Sequence, residues 1–426
     1  MSLNKIKLDA WKILFIFVGI CFSSLFILSF FKIINFWTFS QAHLNYYGGF
    51  VKRGLFGTLM LISEKHLNIE RDNFFNFFFV IFHSFSIIVF FSLLKKYSFN
   101  LIILIFLALN PALIMFAFND IGGFQRFDIL TIFNLLLHTY FTNKLLKNEI
   151  DEKYYEKFLY FLYFLIFISI LIHEIQAFAI PFHFLLSHLI LKNKKLKNIN
   201  KIYFVLIFIF SINISIFGSA DNNQLRIIQD NIPTKFGIWS DAILFASGHY
   251  SHILTTFYEL KINLLNPYNL RISLFFILIT LVVNYSILFY FSKNKKILNP
   301  LFNNPYSIFF IISPFFLMFY IGDVGRWIHL MAITSFCSLT VNPINKKINR
   351  VKIFDEKNGN LFCIKIFFLV LVLFYCIFTR VPHCCDLEKK NKTIFGGLIN
   401  KFVAVGHILI SEKKENILDT IKIYKD

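Results

Sequence analysis

Long uninterrupted apolar runs recur along this chain and constrain its fold more than any other feature. One of them, "FFNFFFVIFHSFSIIVFFSLL", covers residues 74–94 and contains no acidic residue, lysine or arginine. A helix that crosses a bilayer needs roughly 20 mostly apolar residues, and such runs follow one another from Trp11 to Cys376. They do not alternate between apolar and polar residues as the strands of a membrane barrel do. We therefore predict an all-α, polytopic transmembrane helical bundle.

The spans and their direction follow from the apolar runs and from the lysines between them. Lysine clusters such as "KKYSFN", "LKNKKLKNINK" and "SKNKK" occupy alternate connections, and the positive-inside rule places them in the cytoplasm. The N-terminus is then cytoplasmic and, with an odd number of spans, the C-terminus is periplasmic. Pro111 and Pro314 interrupt two spans, which predicts broken or tilted helices. We predict about eleven spans, at 11–34, 74–94, 101–118, 127–142, 158–172, 177–191, 202–218, 272–291, 305–321, 327–341 and 361–379.

These spans divide the chain into two parts. Residues 1–379 form the transmembrane bundle, which includes a long outer loop at 218–271, and residues 380–426 form a periplasmic C-terminal tail. The formal net charge of +19 comes largely from the lysine clusters. Because orientation in the membrane explains those clusters, we expect membrane lipids around the protein and no nucleic-acid partner.

Three short loops on the predicted outer face carry arginine where lysine is scarce. "GGFVKRG" contains Lys52 and Arg53, "GGFQRF" contains Arg126, and "IGDVGRWIH" contains Arg326. In a composition that favours lysine, this choice is informative, because a planar guanidinium binds phosphate or carboxylate through two hydrogen bonds. Glycines beside the arginines allow backbone N–H groups to approach a ligand. We predict a site for an anion such as a phosphate or a carboxylate; the alternative is tight turns with arginines at headgroup level.

Carboxylates accompany two of these arginines. Asp120 and Asp128 flank Arg126, and Asp323 precedes Arg326 by three positions. Ionisable groups at a membrane edge often have a function, and we predict that these aspartates support the anion site. The structural alternative is that Asp128 and Asp323 serve as counter-ions or helix N-caps.

The pair His173-Glu174 ends an apolar helix at the same face. The preceding run, "FLYFLIFISILI", carries Glu174 to the bilayer edge, where partial loss of water is expected to raise the pKa of a carboxylate. A raised pKa suits a general base. We therefore predict Glu174 and His173 as the catalytic residues.

The long outer loop mixes polar and apolar residues at roughly helical spacing. We predict an amphipathic segment that covers a cavity or contacts an extended acceptor, with Arg226, Trp239, Asp241 and His249 as substrate contacts. The alternative is a connector packed over the bundle.

Several kinds of site are not expected from this sequence. It contains no G-x-x-x-x-G-K-[ST] phosphate loop, which argues against an ATP-driven pump. It also has no C-x-x-C pair, so a zinc or disulfide framework is not expected. We predict no metal and no cofactor.

The chain resembles the bacterial O-antigen and capsule polymerases of the Wzy type. The resemblance lies in about eleven spans, one extended outer loop and short outer loops bearing Arg53, Arg126 and Arg326. It implies a glycosyltransferase that polymerises undecaprenyl-diphosphate-linked oligosaccharide at the outer face of the bacterial inner membrane, with a chain-length regulator as a possible partner. It further implies that these arginines hold the diphosphate. The long loop departs from the family because it lacks an R-x-x-x-G motif.

Two other classes remain open. The first is a GT-C-type glycosyltransferase with a lipid-phosphate sugar donor, whose usual mark is an acidic pair in the first outer loop; here that loop offers Lys52 and Arg53. The second is a transporter or flippase for lipid-linked sugars, which should carry charges and broken helices near the bilayer midplane.

Overall fold

The computed structural model describes residues 3–31, 35–95, 101–119, 121–191, 193–232, 243, 324–341 and 359–378. Every element in these ranges is helical, which confirms the all-α class for the described part of the chain. A short 3₁₀ segment, Glu174–Ala179, lies between the helix that ends at Ile172 and the helix that begins at Ile180. The helices are α1 (Leu3–Phe31), α2 (Phe36–Gln41), α3 (Gly54–Leu67), α4 (Arg71–Leu94), α5 (Leu101–Leu109), α6 (Phe116–Asn119), α7 (Ile121–Phe124), α8 (Asp128–Leu146), α9 (Glu152–Ile172), α10 (Ile180–Ile190), α11 (Lys194–Phe217), α12 (Asn222–Asp230), α13 (Val324–Thr340) and α14 (Gly359–Phe378).

Four of these helices are long and apolar enough to cross a bilayer, which identifies the chain as a membrane protein by length and composition. Their candidate membrane spans are Ala10–Phe30, Arg71–Leu94, Glu152–Ile172 and Lys194–Ile214. The other predicted spans also fall on helical segments, except those at 272–291 and 305–321, which lie outside the described residues. The C-terminal tail, 380–426, lies outside them as well.

Helix α4 illustrates how the apolar runs form the bundle. Phe75, Phe79 and Phe90 are fully buried, whereas Phe77 and Phe85 on the other side of the same helix are 57% and 53% exposed. A helix that is apolar on all faces is expected where one side packs against protein and the other against lipid. The phenylalanines of α4 therefore line both the side of the helix that packs against protein and the side that faces away from it.

The predicted break at Asn110-Pro111 is confirmed. Helix α5 ends at Leu109, a turn follows, and the helical path resumes at Phe116. The turn is stabilised because Asn110 Oδ1 accepts a hydrogen bond from the Ala112 backbone N–H at 2.9 Å. The freed carbonyl of Ala112 lies 2.7 Å from Nδ1 of His329 on α13. Bonds of this kind allow proline to interrupt a membrane helix. Pro314 lies outside the described residues.

Two helices lie where the sequence predicted loops. Helix α3 follows "GGFVKR", and α12 is the start of the long loop at 218–271. Helix α12 has a capping box between Asp221 and Gln224, the signature that starts a helix. Its apolar side packs on the loop between α2 and α3, in a small core of Leu44, Val51, Ala220, Leu225, Ile228 and Ile243. The described start of the 218–271 segment thus packs on the loop between α2 and α3.

Candidate functional site

Arg53 occupies an unusual position immediately before α3. Its backbone is left-handed, with φ 63° and ψ 5°, a conformation that costs a residue with a Cβ roughly 1–2 kcal/mol. Strained residues persist where surrounding contacts fix them. The guanidinium of Arg53 donates from Nε to Glu174 Oε2 at 2.6 Å and from Nη2 to Glu174 Oε1. Its Nη1 donates to Gln41 Oε1 at 3.2 Å. Tertiary contacts therefore fix Arg53.

Glu174 begins the 3₁₀ segment two residues after α9 ends. Its side chain is 25% exposed and forms a two-point ion pair with Arg53. Burial alone would raise the pKa of Glu174, but the charges of Arg53 and Lys52 outweigh it and hold the pKa well below its ordinary value. The predicted upward shift is therefore wrong. The prediction failed because the sequence did not show that Arg53 supplies a counter-ion.

His173 lies between α9 and the 3₁₀ segment in extended conformation. The backbone N–H of Ile175 donates to His173 Nδ1 at 3.2 Å, so Nδ1 must be an acceptor and the neutral ring carries its proton on Nε2. Burial, followed by the charge of Arg53, lowers the pKa of His173 well below its ordinary value. The imidazole is thus a neutral group that donates from Nε2. This geometry is unsuited to a base at Nε2.

Lys52 is buried beside this pair, with 4% of its surface exposed. Its backbone N–H donates to the carbonyl oxygen of Gly218 at 2.7 Å, which ties the loop between α2 and α3 to the segment that follows α11. Burial lowers the pKa of Lys52 to about 8, the charge of Glu174 opposes that shift, and the charge of Arg53 adds to it. Lys52 therefore remains mostly protonated at neutral pH, close to its titration point.

The other two predicted arginines approach the same histidine. Arg326, near the start of α13, pairs through Nε with Asp128 Oδ2 at 2.7 Å, and Arg126 is buried just before α8. Both arginines contribute to the lowered pKa of His173 through their charges, so both lie within electrostatic range of its ring. Asp128 is a counter-ion of Arg326, the structural role left open by the sequence.

The fold thus gathers residues from distant parts of the chain. We call this group the arginine cluster: Lys52, Arg53, Arg126, Asp128, His173, Glu174 and Arg326. It contains four cationic side chains and two carboxylates, with a neutral histidine among them.

Of the remaining predicted site residues, the structure describes Arg226, which lies outside this group. Arg226 is an exposed residue of α12. Asp120, Asp323, Trp239, Asp241 and His249 lie outside the described residues. Their predicted roles remain predictions.

The two glycine-rich motifs have different structures despite their similar letters. Gly48 and Gly49 lie in a turn, and Gly49 has φ 123°, whereas Gly122 and Gly123 belong to α7. A Cβ on Gly49 would lie 2.6 Å from Nε2 of Gln224. The glycine at this position therefore allows α12 to pack closely on the loop between α2 and α3.

Sequence reasoning missed Gln41, the second partner of Arg53, because nothing in "FWTFSQ" marks a ligand of a residue twelve positions later. No group of three or more His, Cys, Asp or Glu side chains that could hold a metal ion occurs in the described parts of the chain. The sequence matches no protein-family model, and searches of the curated proteins and of the solved structures found no match. The functional argument therefore rests on the arginine cluster.

Proposed function

We propose that this protein is a membrane glycosyltransferase that polymerises the repeat units of a surface polysaccharide. Its substrate is an undecaprenyl-diphosphate-linked oligosaccharide, and it acts at the periplasmic face of the bacterial inner membrane. The observation that carries this proposal is the convergence of Arg53, Arg126 and Arg326 on His173, with Lys52 beside the adjacent Glu174.

The composition of the arginine cluster favours an anionic ligand. The fold brings four cationic side chains, three of them arginines, to one place. A diphosphate would supply negative charge and several acceptor oxygens in one group. Arginine binds such oxygens through paired hydrogen bonds.

The same groups suit transfer from a lipid diphosphate. Negative charge grows on the leaving diphosphate as the bond to the sugar breaks, and fixed cationic donors stabilise that charge without rearranging. The Nε2–H of His173 adds a neutral donor, since its Nδ1 accepts from Ile175. The helices that flank the cluster hold it at a membrane edge, where a lipid tail remains in hydrocarbon.

The proposal includes a topology of about eleven spans, with the N-terminus in the cytoplasm and the C-terminus in the periplasm. Reporter fusions after Lys96, Lys195 and Lys296 should then report cytoplasm, and fusions after Gly123 and Gly325 should report periplasm. A cytoplasmic signal after Gly123 contradicts the proposed orientation. A chain-length regulator is the proposed protein partner.

The function is tested by the sugar polymer of cells with and without the gene. Loss of a polymerase should reduce a ladder of repeat lengths to a single repeat on the lipid acceptor, and the intact gene should restore the ladder. Loss of all surface repeats points instead to an earlier transfer or to export. An unchanged ladder contradicts the proposal.

A transporter for lipid-linked sugars is a second candidate, favoured by two features inside the bundle. The helical path breaks at Asn110-Pro111, and His138 and His183 are in contact at 3.0 Å among buried side chains. Broken helices and polar residues at membrane depth are typical of transporters. The same ladder separates the candidates, because loss of a transporter removes surface repeats altogether.

A further inference from the structure

The two-point contact between Arg53 and Glu174 uses the part of the guanidinium that best recognises a phosphate. Nε and Nη2 donate to the two oxygens of one carboxylate, which is the geometry arginine also uses for two oxygens of a phosphate. Gln41 accepts from Nη1. Glu174 therefore occupies the two donors of Arg53 that an oxyanion ligand would use.

The surroundings of Glu174 make this ion pair exchangeable. The carboxylate side chain is 25% exposed, whereas that of Arg53 is 9% exposed, so Glu174 is the partner with access to solvent. Lys52 and His173 adjoin it, with His173 Nδ1 at 3.9 Å from Glu174 Oε2. Arg126 and Arg326, the latter paired with Asp128, complete the charged groups around His173.

We propose that Glu174 is an internal substitute for a substrate phosphate, which leaves Arg53 when an oxyanion binds there and then acts as the general base. This inference rests on the proposed function and gives it an order of events. Before an oxyanion binds, Arg53 stays paired with Glu174. A bound diphosphate takes the place of Glu174 on Arg53, and only then is the carboxylate able to accept a proton.

The exchange changes the protonation of Glu174 for a simple reason. Arg53 is the main charge that lowers the pKa of Glu174, against burial, which raises it. When an oxyanion replaces Glu174 on Arg53, burial is no longer opposed by that contact, and the nearby anion adds repulsion. The carboxylate pKa then moves toward the range of a general base.

In the transfer itself, the acceptor hydroxyl oxygen forms the new bond to the sugar carbon, and its proton passes to the released Glu174 carboxylate. The bond between that carbon and the diphosphate oxygen breaks. Its electron pair stays with the diphosphate, which Arg53 holds. Glu174 returns its proton to water before it pairs with Arg53 again.

Inorganic sulfate tests the exchange on the full-length protein in lipid nanodiscs. Sulfate is a divalent oxyanion that does not titrate near neutral pH, so any proton taken up on binding enters the protein. Calorimetry at pH 6 in two buffers of different ionisation enthalpy measures that uptake. Lys52, with a pKa of about 8, is already charged at pH 6 and contributes little.

We expect the parent protein to take up a measurable fraction of a proton per bound sulfate, up to about one. Glu174→Gln should bind sulfate about tenfold more tightly, which corresponds to about 1.4 kcal/mol, with no proton uptake. Asp128→Asn is the matched control, since it removes one negative charge from the same cluster but retains Glu174. It should also bind more tightly while keeping the proton uptake of the parent.

Three outcomes overturn the exchange. Sulfate binding by the parent without proton uptake means that Glu174 stays on Arg53. That result contradicts the exchange but still supports the proposed anion site. Proton uptake that persists in Glu174→Gln assigns the proton to His173. Absence of sulfate binding in a folded parent removes both the exchange and the anion site of the proposed function.

Discussion

The arginine cluster and a second polar region of the bundle both contain histidine. Charged side chains surround the histidine of the arginine cluster, whereas neutral side chains contact the histidines of the second region. This second region, the histidine network, joins α8, α9 and α10 and consists of His138, Thr142, Tyr155, His183 and Ser187. All five side chains are buried. It lies about 15 Å along α8 from Asp128, by the rise of 1.5 Å per residue over ten residues.

The histidine network satisfies its hydrogen bonds with neutral partners. His138 Nδ1 lies 3.0 Å from His183 Nδ1, and His138 Nε2 lies 2.8 Å from Ser187 Oγ. Thr142 donates its only hydroxyl proton to the carbonyl of His138 at 2.7 Å, so Tyr155 is the donor in its 2.9 Å contact with Thr142. Within the described residues, these contacts join the helices without an ion pair.

The difference between the two regions indicates that one region holds the helices together and the other is suited to binding a ligand. Neutral hydrogen bonds between membrane helices contribute on average about 0.6 kcal/mol each and leave no charge for a ligand to balance. The arginine cluster gathers four cationic side chains around His173 and Glu174, and the 25% exposed side chain of Glu174 is accessible to a ligand. We expect substitutions in the cluster to affect activity and substitutions in the network to affect stability.

The largest effect is expected from Arg53→Ala. This variant should lose the polysaccharide ladder and also be destabilised, because removing one partner of a buried ion pair costs about 3–5 kcal/mol, less here since Glu174 is 25% exposed. The double variant Arg53→Ala with Glu174→Gln removes both charges. It should recover most of the thermal stability of the parent in detergent but remain inactive.

Recovery of the ladder in that double variant would contradict both a direct role for Arg53 in binding and the role of Glu174 as general base. It would mean that Arg53 serves only to neutralise Glu174. Membrane levels of each variant, measured by immunoblot, are matched before the ladders are compared.

The second-largest effect is expected from the lysine variants of Arg53 and Arg126. These variants distinguish arginines that contact a diphosphate from arginines that only anchor their loops at the headgroup level. Arg53→Lys and Arg126→Lys keep the charge but lose the two-point geometry. Loss of a charged hydrogen bond costs about 1.5 to 3 kcal/mol, or roughly one to two orders of magnitude in rate when it acts on the transition state. Shortened ladders are expected from both.

Arg71→Lys is the matched control for these substitutions. Arg71 is a buried arginine whose Nε donates to Glu64 Oε2 at 2.6 Å, but it lies outside the arginine cluster. Its lysine variant should give a normal ladder. Normal ladders from Arg53→Lys and Arg126→Lys would show that these arginines act as anchors at the headgroup level.

A smaller effect is expected from the titration of Lys52. Its pKa of about 8 is lowered from 10.5 chiefly by burial, so the charge is present below pH 8 and is lost as the pH rises through that value. Sulfate affinity of the parent should fall between pH 7 and pH 9 by about tenfold, the effect of about 1.4 kcal/mol. Lys52→Arg keeps its charge at both pH values, so its affinity should change much less.

The sequence predicted the helices better than the site, for a physical reason. A membrane helix is specified by its own composition, so the predicted span at 74–94 and the helix Arg71–Leu94 nearly coincide. The Arg53–Glu174 contact joins residues 121 positions apart and depends on packing. The sequence placed both residues at one face but not in contact, and it therefore predicted the wrong direction for the Glu174 pKa.

The helix α3 was missed because its start carries no ordinary signal. Arg53 precedes it in a left-handed conformation without a side-chain cap, where serine, threonine, asparagine or aspartate is usual. The run "GLFGTLMLISEKHL" is also too short to cross a membrane. Only its packing in the bundle distinguishes it from a loop.

The smallest effect on activity is expected from the histidine network. His138→Asn keeps a neutral polar side chain but is too short to reach both His183 and Ser187, which now lie 3.0 Å and 2.8 Å from its ring nitrogens. At least one of the three buried contacts of the ring, which include Tyr155 Oη at 3.1 Å from Nε2, is then lost, and each unpaired group costs about 1–3 kcal/mol. Thermal unfolding in detergent should occur at a lower temperature, while the ladder stays close to that of the parent at matched membrane levels. His183→Asn should behave in the same way, because it removes the same contact from the other helix. Loss of all surface repeats in both variants, with the proteins still folded, would instead assign the histidine network to transport and favour the second candidate function.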